Sequence, residues 1–191
     1  SLEWAKARGA VVQRHSYESA LDLATFEPAR FSGVPQGLQA RGIRLTTMAD
    51  LPPEAGRQLY DLWAKTAHDN PSYRGGGDPP FEHWSKWVLQ NPNMPLDCLI
   101  VAMDGDRIVG TTGLLRLDNG SYYTDYTGVD REYRGRGIAL ALKLFSIRKA
   151  LAAGAPYMRT NNDSTNAPML AVNRKLGYTP RPGVFIVDLT I

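Results

Sequence analysis

Between residues 122 and 153 the chain sets out a strand, a glycine-bracketed turn and a long helix, and this run constrains the fold more than any other. Tyr122 to Val129 reads as a strand after the Asn119-Gly120 turn. From about Ile138 to Ala153, Ile138, Ala141, Leu142 and Phe145 share one helical face, and Leu144, Ile147 and Leu151 widen it. So broad an apolar stripe packs flat on a sheet. Between strand and helix, Gly135 and Gly137 let the backbone turn with its N–H groups exposed, at a helix N-terminus whose dipole favours anions.

The rest of the chain from Gly42 alternates in the same way. Ile43 to Thr46 has a period of two, a first strand. Asp50 then stands as N-cap before Leu51-Pro52-Pro53-Glu54, and Leu59, Leu62, Trp63 and Thr66 follow at helical spacing to about Ala67. Asp69 to Pro80, with three glycines and three prolines, reads as a loop, and Phe81, Trp84 and Val88 mark a short helix. Leu99 to Ala102 and Ile108 to Thr111 flank an Asp104-Gly105 turn, which makes a meander with the strand from Tyr122. Tyr157 to Thr160 is a short strand, Asn166 to Leu176 a helix stopped by Gly177, and Val184 to Ile191 a last strand. The order β-α-α-β-β-β-α-β-α-β predicts an α/β (α+β) sandwich.

The turn at 134–140 admits three readings. A dinucleotide fingerprint needs a small residue where Leu140 stands and an acid about 20 residues on, and a kinase-type P-loop needs Gly-Lys-Ser/Thr; both are absent. There remain an anion site and a plain glycine-rich connection with surface arginines. Arg134 and Arg136 can pair bidentately with phosphate oxygens. A net charge of +3 is too small to argue for a nucleic-acid partner, whereas the cluster of Arg131, Arg134, Arg136 and Lys143 suits a small polyanionic ligand better than a long one.

The stretch Gly128-Val129-Asp130-Arg131-Glu132-Tyr133-Arg134-Gly135-Arg136-Gly137-Ile138-Ala139 resembles the cofactor motif of the GNAT superfamily of N-acetyltransferases, Arg/Gln-x-x-Gly-x-Gly/Ala. A second motif, Asn166-x-x-Met169-x-x-x-Asn173-Arg174-Lys175-Leu176-Gly177-Tyr178, is similar to the helix and turn after the family's fifth strand. The resemblance covers about Ile43 to Ile191. It implies a mixed, mostly antiparallel central sheet with helices on both faces, whose fourth and fifth strands, here Tyr122–Val129 and Tyr157–Thr160, splay apart around acetyl-CoA. By the same resemblance Thr127, Gly128 and Val129 would pair with pantetheine, and Arg134, Gly135, Arg136, Gly137, Ile138, Ala139 and Leu140 would hold the pyrophosphate. Asn166 would contact the cofactor or cap its helix. The implied reaction is acetyl transfer to a primary amine, of a small molecule or, alternatively, of a peptide or protein.

Such a transfer needs a neutral amine, a polarised carbonyl and a stabilised leaving thiolate. The family's tyrosine acid would fall at position 173, where this chain has Asn173, and an amide is no acid. Tyr126 or a water would then serve, or the thiolate leaves unprotonated. A regulatory acyl-CoA-binding protein without turnover is the rival reading. For the base, Asp125 lies by alternation on the face of Tyr123 and Thr127, as a base or as a solvated strand aspartate. Asn161 and Asn162 could orient an acceptor or close a turn. Trp63, Trp84 and Trp87 read as core, and Tyr73 with its neighbouring glycines as a lid. His15, His68 and His83 lack metal-ligand spacing, so no metal is expected.

Residues 1–41 stand outside this order, with 42–191 as the acetyltransferase domain. Lys6-Ala7-Arg8-Gly9 followed by Leu21-Asp22-Leu23 echoes Arg174-Lys175-Leu176-Gly177 followed by Val187-Asp188-Leu189. The arm is therefore either the tail of a preceding domain of the same kind, with Phe26 to Ala40 as linker, or an extension adding one strand, Tyr17 to Leu23. A single cysteine, Cys98, within an apolar run fits a small buried hydrophobe in a cytoplasmic protein. No apolar run is long enough for a membrane span, and a monomer or homodimer is expected.

Overall fold

The computed structural model describes residues 2–73 and 77–188. One seven-stranded sheet organises them, in the order β2-β3-β4-β5-β6-β1-β7. The strands are β1 (Val11–Asp22), β2 (Ile43–Thr47), β3 (Leu99–Asp104), β4 (Arg107–Arg116), β5 (Tyr122–Val129), β6 (Tyr157–Asp163) and β7 (Thr179–Asp188). The helices are α1 (Leu2–Lys6), α2 (Gly33–Gln39), α3 (Ala55–Ala67), α4 (Phe81–Val88), α5 (Ile138–Ala152) and α6 (Ala167–Lys175). Every pairing is antiparallel except β5 with β6.

The period of two in β3 separates two cores. Ile100 and Ala102 pack with Ile138, Ala141 and Leu142 of α5. Leu99, Val101 and Met103 belong instead with Leu59 and Leu62 of α3 and Trp84 of α4. Gly110 admits α5 closely, since a Cβ there would meet Ile138 at 2.9 Å and Leu142 at 3.2 Å.

The parallel pair holds the opening. It is in register at Tyr122↔Met158, Tyr123↔Arg159 and Thr124↔Thr160 and no further. Beyond Thr124, β5 continues along β4 to Val129, while β6 turns to β1, pairing Asn161, Asn162 and Asp163 with Glu18, Tyr17 and Ser16. The expected splay of the fourth and fifth predicted strands is this parting of β5 and β6.

Four expectations are corrected in detail. Asp50 caps a 3₁₀ turn, accepting from the Thr47 N–H (3.2 Å) and hydroxyl (2.7 Å), and α3 opens five residues later because Pro52 and Pro53 occupy the turn between. β6 runs three residues past Thr160, carried by its pairing with β1. β7 starts at Thr179, before Pro180 and Pro182, which an edge strand tolerates because an unpaired N–H position costs it nothing. Residues 189–191 of the predicted last strand lie outside those described. Phe26 to Ala40 is not an open linker, since it forms a 3₁₀ turn and α2, with Phe31 and Leu38 buried.

The arm contributes β1 within the sheet, hydrogen-bonded to β6 on one side and β7 on the other. It is twelve residues long and so exceeds the expected strand at Tyr17 to Leu23.

Candidate active site

Where β5 and β6 part, a cavity of about 580 Å³ opens, within the range of small-molecule sites. All of β5 from Tyr123 to Val129 lines it, so strand alternation does not select one face here. The opposite wall comes from Thr160, Asn161 and Asn162 of β6 and from the first turns of α6.

One end is the glycine turn. Gly135 (φ +74°) and Gly137 (φ +80°) have the left-handed backbone that only glycine adopts without strain, and a Cβ on either would meet nothing within 4 Å. Gly135, Gly137, Ile138, Ala139 and Leu140 all line the cavity. Gly137 is the N-cap of α5 and caps with no side chain, which leaves the first N–H groups of that helix to a ligand. These residues fit a bound pyrophosphate.

The two arginines of the motif are engaged elsewhere. Arg134 lines the cavity but donates to Asp69 and to the Val129 carbonyl (3.2 Å). Arg136 is not among the lining residues; it donates to the Glu132 carbonyl (3.0 Å) and lies over the Tyr133 ring (4.7 Å). Arg131 also pairs with Asp69, at 2.6 Å. Hydrogen bonds from Arg131, joined by Arg134 and opposed by burial, hold Asp69 down to about 2. The cationic cluster read from sequence is thus partly neutralised, and its fourth member, Lys143, is not on the surface with the arginines but buried.

Asp130 anchors the turn, a role the sequence did not signal. Its carboxylate accepts from Lys65 (2.9 Å), Arg107 (2.7 Å) and the Glu132 N–H (3.2 Å). Burial opposes its charge, but Lys65, the Glu132 N–H and Arg107 outweigh it, so its pKa falls below the usual carboxylate range.

Asp125 borders the main cavity and a smaller apolar one of about 40 Å³ lined by Trp63, Trp84, Met94 and Leu99. The side chain is exposed to the cavity, and the protein packed around it raises its pKa. Tyr126 lines both cavities and is pinned: Thr66 donates to the Leu62 carbonyl (2.7 Å), so its oxygen takes the Tyr126 hydroxyl proton (2.8 Å). Burial pushes Tyr126 up to about 12. Gly128 makes room for that pair, since a Cβ would meet the Tyr126 hydroxyl at 2.6 Å and Thr66 Oγ1 at 2.7 Å.

Asn166 lines the cavity and caps α6, accepting from the Met169 N–H (3.4 Å). Asn173, expected at the acid position, does not line the cavity. It is buried and donates to Asn162 Oδ1 (2.7 Å), while Asn162 donates to Ser19 Oγ (2.8 Å) and the Tyr17 carbonyl (3.3 Å). This amide chain ties α6 to β6 and β1. Asn161 lines the cavity.

Among the remaining expectations, Trp84 is core and Trp63 packs against it, but Trp87 is exposed. Tyr73 packs edge-on to Trp63 and donates to Asp78 (3.3 Å), while its neighbours Asp69, Asn70 and Ser72 reach the cavity. Gly75 and Gly76 of the expected lid lie outside the described residues. Cys98 is fully buried. Among the described residues no cluster of His, Cys, Asp and Glu could hold a metal ion, and no helix is long and apolar enough to cross a membrane.

A family model described as Acetyltransferase (GNAT) family matches residues 57–178. Among solved structures, a GCN5-related N-acetyltransferase from Sphaerobacter thermophilus is 24% identical, with TM-score 0.69 over 97% of this chain and 54% of its own. A tandem GNAT protein from the clavulanic acid biosynthesis pathway is 19% identical, with TM-score 0.63 over 97% of this chain and 56% of its own. The chain thus spans about half the length of these two. AAC(6')-Iy, solved with the bisubstrate analogue CoA-S-monomethyl-acetylneamine, is 16% identical, with TM-score 0.58 over 75% of this chain and 95% of its own.

Proposed function

The chain belongs to the GNAT acetyltransferase family, and on that premise we propose that it transfers an acetyl group from acetyl-CoA to a primary amine of a small molecule. The observation that carries this reading is the cavity between the parted strands, with a glycine turn and an uncapped helix N-terminus at one end and a carboxyl of raised pKa on its wall.

The N–H groups of Ile138, Ala139 and Leu140, with the turn at Gly135 and Gly137, would hold the pyrophosphate. Arg134 would exchange Asp69 for phosphate, whereas Arg136 contributes charge from outside the cavity. Thr127, Gly128 and Val129 would align the pantetheine arm, and Asn166 would meet it from α6. Bound acetyl-CoA supplies the thioester. Asp125 takes the proton that the bound amine sheds as its nitrogen bonds to the thioester carbon, a task its raised pKa favours. Tyr126, fixed by Thr66 and protonated at neutral pH, orients the acceptor. A peptide amine is the alternative acceptor. The protein would act in the cytoplasm as a monomer or homodimer, without metal, membrane or nucleic acid.

The test is thiol release from acetyl-CoA with a panel of amino sugars, polyamines, amino acids and short peptides. We expect turnover on a small amine. Turnover on peptides alone would overturn the acceptor class, and saturable acetyl-CoA binding with no turnover on any amine would leave an acyl-CoA-binding protein instead.

A further inference from the structure

Lys143 is a lysine where an apolar residue would be expected. It stands in α5 between Leu140, Leu144 and Ile147, all core residues, and is itself 1% exposed. No carboxylate lies within ion-pair distance of its Nζ among the described residues. Its Nζ lies over the face of Tyr178, 5.1 Å from the ring centroid. Yet Lys143 lines the cavity, together with Thr124 and Thr160, the last pair joined before β5 and β6 separate. An unpaired buried ammonium is costly, and leucine or methionine would pack there without that cost.

We propose that Lys143 is the acid that protonates the sulfur leaving acetyl-CoA, filling the role that Asn173 cannot. The proposal rests on the acetyl-CoA reading of the cavity. In the transfer, the amine nitrogen bonds to the thioester carbonyl carbon and loses one proton to Asp125. When the tetrahedral intermediate collapses, the C–S bond breaks and its electron pair stays on sulfur, which takes a proton from the Lys143 ammonium. The proton held by Asp125 returns through cavity water to Lys143, so amine and thioester become amide and thiol with no net proton change. Burial alone lowers Lys143 to about 7, which places a donor near neutral pH. The titratable group against it is Tyr178, and Tyr123, Asp125, Tyr126 and Tyr133 line the same cavity. Asp69 and Arg134, at the turn, pair with each other. None of them offsets the burial of Lys143.

Calorimetric titration of coenzyme A and of desulfo-coenzyme A, across pH 6 to 9, separates this role from a structural one. Wild-type protein should bind coenzyme A about tenfold more tightly than the desulfo analogue near pH 8, since a thiol and a lysine sharing a proton gain roughly one pKa unit of interaction. Lys143→Met should remove that preference and leave desulfo-coenzyme A binding unchanged. Turnover should fall about 100-fold with little change in KM for acetyl-CoA. An equal preference in both proteins overturns the lysine proposal alone. Failure of wild-type protein to bind either ligand overturns the coenzyme assignment and the proposal with it.

Discussion

At the scale of single residues, the cost of Lys143 is itself measurable. Its pKa of about 7 lies below the usual lysine value near 10.4 that the unfolded chain regains. Between those values the unfolded state holds a proton that the native state has released, so stability rises with pH across the window. Below pH 7 both states carry the charge and the native state bears its full burial cost. Urea unfolding at pH 6.5, 8 and 9.5 should therefore show wild-type stability climbing by a margin that Lys143→Met lacks, with the variant the more stable at pH 6.5. Parallel pH profiles for the two proteins would contradict this. Asp125 and Asn173 show how far sequence reading reaches at this scale. The position of Asp125 on the cavity wall follows from the strand. The burial of Asn173 depends on Asn162 and Ser19, and Ser19 lies 154 positions away in the chain.

At the scale of elements, the helices and the meander were legible because each carries a period and a stop: α5 its broad stripe, β3 and β4 their Asp-Gly turn, α6 its glycine at 177. Less legible were β6 and β7, whose polar and proline-bearing ends are strand only because β1 supplies partners. Tyr17, Ser19 and Arg14 of β1 hold Asn162 and Asp163 of β6, the last through an ion pair of 3.1 Å. A protein of residues 42–191 should accordingly give no cooperative thermal transition, and a peptide of residues 1–41 added in trans should restore one. A cooperative melt together with acetyl-CoA binding by residues 42–191 alone would show that β1 is dispensable.

At the scale of the whole molecule, one sheet does two jobs. Its antiparallel half packs two cores, and its single parallel contact ends after three residue pairs, which opens the cavity. The motif at 134–140 was legible because glycines at positive φ and a helix start leave local marks. The engagement of Arg134 by Asp69 was not, since it depends on where α3 ends. The central claim is that coenzyme A lies against the start of α5, and Ala139→Glu tests it most directly. A glutamate in the first turn favours the helix through its dipole, so folding is retained, yet it sets a negative charge where the pyrophosphate would bind. Calorimetric titration with acetyl-CoA should give saturable one-site binding to wild-type protein. Ala139→Glu should bind roughly 100-fold more weakly at an unchanged or higher melting temperature. Equal affinity in the two proteins would contradict the account.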